Sequence, residues 1–176
     1  MLDKPILIEV AQFKDTRGTV IEFLRQRNFT EVTGLEFKQI NITLGEKHAI
    51  RGIHYSPTTA NLVKAIYCIK GAILDVAINL DRSSPDYGSK FIFQLSAKDN
   101  SVLVIPNGYG HAFQTLDDEN IVVYAMTQAF GDYPDLALNP LDKSLNLPWA
   151  TPTICSERDL NAPSFSQLNE VPGTNF

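Results

Sequence analysis

Arg51-Gly52-Ile53-His54-Tyr55 sets a histidine three residues beyond an arginine on a short apolar segment. The chain has 3 histidines, His48, His54 and His111, so a general base working near neutral pH has few candidates. If the segment is a regular strand, Arg51 and Ile53 point to one side, and Ile50, Gly52 and His54 to the other. A glycine inside such a strand marks a close approach by a ligand or by another backbone. Further polar residues frame it: Gln39 and Asn41 upstream, Lys64 ten residues after the histidine, and Pro106-Asn-Gly108-Tyr-Gly110-His111 downstream.

Short strands must hold these groups. Candidate strands cover 6–9, 18–23, 38–44, 49–54, 62–70, 72–79, 90–95, 101–105, 111–115 and 121–127. Turn signals at Asp15-Thr-Arg-Gly18, Ile69-Lys-Gly71, Ser83-Ser-Pro-Asp86, Lys98-Asp-Asn100, Pro106-Asn-Gly108 and Asp117-Asp118 separate them. Such spacing predicts an all-β, antiparallel sandwich or jelly roll rather than alternating β/α units. Short helices are expected over 26–33 and 157–160, the latter with Ser156 as N-cap. From about residue 129 the chain becomes irregular and rich in proline, and we expect it to wrap over the barrel with its last few residues loose.

A chain of 176 residues suggests one domain with a real hydrophobic core, and 44% hydrophobic with 20% charged residues is ordinary for a soluble protein. The net charge of -5 argues against nucleic acid as a partner, while leaving room for a local basic pocket. No apolar run approaches the roughly 18–20 residues of a membrane span, and the N-terminus carries charges too early for a signal peptide. Cys68 and Cys155 fit no metal or redox spacing and read as free thiols of a cytoplasmic protein. A metal site is not expected, because the chain lacks a His-x-His pair, and His48 and His54 lie six residues apart.

Several motifs in order resemble the dTDP-4-dehydrorhamnose 3,5-epimerase family. They are Asp15-Thr-Arg17-Gly18 with Glu22, Gln39-Ile-Asn41, Arg51-Gly-Ile-His54, Lys64, Gly71-Ala-Ile-Leu-Asp75, Pro106-Asn-Gly-Tyr-Gly-His111-Ala-Phe113, Asp142, Trp149 and Ser156-Glu-Arg-Asp159. The resemblance implies a jelly-roll (cupin-like) subunit, a homodimer that exchanges N-terminal strands, and no metal or organic cofactor. Its substrate would be a nucleotide diphosphate 4-keto-6-deoxy sugar. The proton beside the C4 ketone is removed and one is returned to the opposite face. On this reading His54 is the base, Asp159 orients it, and Lys64 faces the enolate oxygen, where a fixed cation counts for more than in water. Arg17, Glu22, Gln39, Asn41, Arg51 and His111 match substrate-binding positions, some of them reaching a neighbouring subunit's site. An arginine fork suits phosphate oxygens.

Plainer readings compete for several of these residues. A lone His54 would be a core histidine, and Lys64 on a half-buried strand could face solvent, although its parity with Leu62 and Ile66 argues against that. Asp159 in a polar run reads as surface charge or as part of a helix first turn. Glu22 and Asp142 are as readily structural as functional. Ungapped counting also puts Phe130 where the family has a tyrosine, the proposed acid opposite the histidine. Phenylalanine cannot give a proton, so Tyr133 is the substitute if the loop around Gly131 and Pro134 is reshaped. Ala112 and Ser56 depart from the family's glycine and glutamine. We therefore expect an epimerase acting at C3, C5 or both, restricted by Phe130. A binding paralogue without catalysis and a 3,4-ketoisomerase remain as alternatives.

Overall fold

The computed structural model describes residues 2–168. Two antiparallel five-stranded sheets face each other, with a separate hairpin alongside. In chain order the elements are β1 (Ile6–Glu9), β2 (Ala11–Asp15), β3 (Gly18–Glu22), α1 (Gln26–Thr33), β4 (Gln39–Gly45), β5 (Ile50–Tyr55), β6 (Lys64–Lys70), β7 (Ala72–Asn79) and β8 (Lys90–Ser96). There follow β9 (Ser101–Ile105), β10 (Tyr109–Thr115), β11 (Asn120–Met126), β12 (Leu136–Ala137), α2 (Glu157–Leu160) and α3 (Phe165–Leu168). The first sheet runs β1-β9-β6-β11-β4 and the second β12-β5-β10-β7-β8. From β4 to β11 successive strands change sheet, except for β7 and β8, which pair within the second; this is the pattern of a jelly roll that the strand spacing predicts.

The side-chain period of two builds three apolar layers. Between the sheets lie Ile66, Ile73, Ala77, Leu103, Phe113 and Val122. Outside the first sheet, Ala65, Tyr67, Val104 and Val123 pack under Phe29 of α1 and Val10. Outside the second, Ile53, Val76, Ile78 and Ala112 pack under Leu138, Leu145, Leu168 and Trp149 of the C-terminal segment. The irregular stretch after residue 128 therefore packs over the second sheet. Asp142 serves that cover, accepting the backbone N–H groups of Ser144 and Phe165 at 2.9 and 2.7 Å.

Strand β2, the two-residue β12 and the four-residue α3 were not anticipated. The hairpin β2–β3 pairs only with itself, and all of β2 is exposed, so it leaves no burial pattern to read. Residues β12 and α3 are too short for periodicity to register. The expectation of a loose C-terminus falls on residues 169–176, outside the described ones. Among the described residues no helix is long and apolar enough to cross a membrane.

Candidate active site

A cavity of about 560 Å³ opens between the two sheets. On the first sheet, the inward parity of β4 presents Gln39, Asn41 and Thr43; that of β6 presents Lys64, and that of β11 Tyr124 and Met126. The second sheet contributes Arg51 and His54 from β5, with His111 and Phe113 from β10. Phe130, Tyr133 and Asp135, from the segment before β12, and Cys155, Arg158 and Asp159, in and before α2, complete the wall.

Strict alternation on β5 fails here. His111 opposes His54 and Phe113 opposes Arg51, so three steps on β5 span two on β10, a β-bulge. The extra residue brings Arg51 and His54 onto the same cavity, where regular alternation would separate them. Ile53 turns outward into the packing beneath Leu138. Gly52 makes this possible: its φ is 112°, and a Cβ there would come within 2.8 Å of Ala112 Cα and nearer still to the His111 carbonyl oxygen. The close approach expected at this glycine is to backbone.

His54 Nε2 lies 2.9 Å from Asp159 Oδ1. The carboxylate accepts the Nε2–H, which leaves the other ring nitrogen unprotonated and available as a base. Burial lowers the histidine's pKa, and the bond to Asp159 only partly offsets this, so the ring is neutral at pH 7. Asp159 is itself buried and fixed by its backbone N–H, which donates to the Ser156 hydroxyl at 3.1 Å. The N-cap expected at Ser156 is thus the device that aims the carboxylate.

Lys64 is the electrostatic counterpart. Burial pulls its pKa down to about 8, against the attraction of Asp135 and Asp75. Among the described residues its ammonium makes no hydrogen bond or ion pair, so its charge faces the cavity without a contact partner. A second histidine–carboxylate pair lies beside the first: His111 Nε2 is 2.9 and 3.1 Å from the two oxygens of the buried Asp75.

The other residues singled out from the sequence divide into two groups. Gln39 donates to Asn41 Oδ1 at 2.9 Å and accepts the Phe130 N–H at 2.6 Å, so both are tied into the wall. Among the described residues Arg51 makes only a long contact, 3.4 Å, to the Leu44 carbonyl, and it lines the cavity. Arg17 and Glu22 do not reach it. Arg17 sits at the hairpin tip, 87% exposed and paired with Asp15 at 2.5 Å, while Glu22 pairs with Arg25.

Phe130 lies at the rim with 67% of its surface exposed. Tyr133 is deeper, its hydroxyl 3.8 Å from Met126 Sδ, and burial pushes its pKa up to about 12. Tyr124 is the residue that sequence reasoning missed on the opposite wall. Its parity with Val122 and Met126 turns it inward, but parity alone does not separate a cavity residue from a core one. Asp135 and Arg158 were also missed, because only the pairing of β12 with β5 brings the first beside the second.

Among the described residues no group of three or more histidine, cysteine, aspartate or glutamate side chains converges as a metal site would require. The arrangement suits abstraction of a proton from carbon beside a carbonyl: a neutral, oriented base on one wall and an unpaired cation on the other.

Comparison with known proteins agrees. The sequence model of the family described as dTDP-4-dehydrorhamnose 3,5-epimerase matches residues 1–167. A Shigella flexneri dTDP-4-dehydrorhamnose 3,5-epimerase is 32% identical over 163 residues, covering 91% of this chain and 90% of that protein. The crystal structure of ChmJ, a 3'-monoepimerase from Streptomyces bikiniensis in complex with dTDP-quinovose, superposes with a TM-score of 0.88 at 28% identity. It covers 96% of this chain and 87% of the other. A Bacillus anthracis dTDP-4-dehydrorhamnose 3,5-epimerase with TDP and PPi bound gives 0.83 at 32% identity, over 91% of this chain and 93% of the other. With the family model matched from end to end of the described fold and a curated relative 32% identical over 91% of its length, this chain belongs to the dTDP-4-dehydrorhamnose 3,5-epimerase family.

Proposed function

We propose that this protein epimerises a dTDP-linked 4-keto-6-deoxy sugar at C3, C5 or both, through an enolate. The observation that carries the reading is the pairing of two walls: a His54–Asp159 dyad at 2.9 Å on one, and on the other the half-buried Lys64 ammonium, without a contact partner among the described residues. His54 removes the proton beside the C4 ketone as the negative charge moves to the carbonyl oxygen, which Lys64 receives. Arg51 takes phosphate oxygens, and His111 contacts the sugar.

Return of a proton to the opposite face requires a donor. Phe130 has none, but Tyr124 and Tyr133 bring hydroxyls to the same cavity. Tyr124, on the sheet facing His54, is the donor this geometry supports best, with Tyr133 as a substitute. The hydroxyl missing at Phe130 then bears on extent, favouring inversion at one centre or a slow second inversion.

The subunit pairs in our reading as a homodimer through its hairpin and β4. That arrangement carries Arg17 and Glu22, which are remote from their own cavity, to the partner's. Incubation with dTDP-4-keto-6-deoxyglucose in deuterated water, followed by NMR of the products, tests the function. Label at C3 or C5 with inversion supports it; carbonyl migration to C3 would point to a ketoisomerase, and no label to a binder.

A further inference from the structure

We propose that Asp135 and Arg158 form a positioning pair that keeps Lys64 charged but unpaired, free to meet the substrate's oxygen; this rests on the enolate reading above. Arg158 Nη2 lies 2.9 Å from Asp135 Oδ2 and donates to the Asp135 backbone carbonyl at 2.9 Å, a grip at two points. The Asp135 side chain is only 18% exposed, and both residues line the cavity. An exposed ion pair would contribute little, but a carboxylate this buried acts through a low dielectric.

The pair also closes a circuit around the base. Arg158 directly precedes Asp159, which holds His54. Asp135 lies two residues before Ala137, which pairs with His54 across β12 and β5. The bridge therefore ties together the two segments that flank the histidine.

Its electrostatic part follows from where the charges are. Two carboxylates attract Lys64, Asp135 before β12 and Asp75 on β7. Each is already engaged by another group: Asp135 by Arg158, and Asp75 by His111. Lys64 thus experiences their field without their contact. The other titratable groups around the cavity are Arg51 and His54 on β5, Tyr124 on β11, Tyr133 beside Asp135, and Cys155 and Asp159 before and within α2. Were Asp135 released, it could close on the ammonium and neutralise the cation that the enolate needs.

The test compares Asp135→Asn with Arg158→Gln in the full chain. Lys64 is titrated directly by ¹³Cε NMR of lysine-labelled protein, with its signal assigned through Lys64→Met. Substrate deuterium exchange and dTDP affinity are read beside it. Asp135→Asn should move the Lys64 titration down by roughly one unit, as loss of an opposite charge does. Arg158→Gln should move it up, yet lower exchange at pH 7 about tenfold, with dTDP affinity unchanged. A purely structural bridge would give two variants that alter Lys64 alike or not at all, and a field without competition would leave Arg158→Gln as active as wild type. Either result overturns the proposal. Absence of exchange in the wild-type protein would reject the enolate reading instead, and the NMR titrations would still test the pair.

Discussion

At the scale of residues, the site depends on one group whose burial is tolerable and one whose burial is not. His54 avoids the cost by staying neutral, its Nε2–H satisfied by Asp159. Lys64 remains a cation with no contact partner among the described residues, which costs stability and, on the proposed mechanism, leaves its charge for the reaction. Lys64→Met should therefore abolish most exchange while raising the melting temperature. Its folded pKa of about 8 lies below the ordinary lysine value, so folding releases protons in between. Stability conferred by Lys64 rises from pH 8 towards 10.5, and the advantage of the methionine variant should shrink over that window. At pH 7, discounting for water in the cavity, the gain should be about 1–2 kcal/mol, or roughly 2–8 °C. Thermal scans at pH 7 and pH 10 check this; equal gains at both would contradict it. For kcat/KM the same groups predict a bell with its basic limb near 8 and its acidic limb below 6.5. Of these residues, His54, Lys64 and Asp159 were legible in the sequence because their order and gaps matched a family. Tyr124 was not, since a tyrosine on an apolar strand looks like core until the facing sheet is known. Phe130→Tyr should raise inversion at the second centre, read by NMR of the product; an unchanged ratio would assign reprotonation to Tyr124 or Tyr133 alone.

At the scale of elements, the parity read for Lys64 with Ile66 held on β6, and the alternation read along residues 50–54 failed on β5. A bulge is set by how two strands pair, and no periodicity within one strand reports it. Only Gly52 hinted at it. Gly52→Ala should lose at least about 2 kcal/mol, because the left-handed φ and the adjoining His111 and Ala112 backbone both resist a methyl group. The bulge also sets Arg51 and His54 on one face, so any surviving fold should bind dTDP weakly and exchange slowly. Chemical denaturation and dTDP titration would measure both, and wild-type values in either would show that the bulge does not require glycine. Short elements such as β12 and α3 were hard to foresee for a different reason: their position depends on what they cover. Ser156 nevertheless announced α2, since a side-chain cap is a local signal.

At the scale of the whole molecule, the outward parity of β4 leaves Ile40, Ile42 and Leu44 exposed, and the β2–β3 hairpin exposes Phe13 and Val20. An apolar edge strand and an exposed apolar hairpin are surfaces that a second copy would cover. If the partner's Arg17 completes each site, two inactive proteins should rescue one another. Mixing Arg17→Ala with His54→Asn after denaturation and refolding should restore about a quarter of wild-type activity, since half the dimers are mixed and each holds one intact site. No recovery, in dimers verified by light scattering, would place Arg17 outside the site. Dimer geometry is the part of the account least legible in one chain's sequence, because nothing in a strand pattern says which edge meets another molecule. The central claim is narrower and concerns His54. In deuterated water with dTDP-4-keto-6-deoxyglucose, the wild-type protein should introduce deuterium at C3 or C5. His54→Asn, folded and still binding dTDP, should do so on the order of 10²–10⁴-fold more slowly. Exchange by that variant near the wild-type rate would contradict the account.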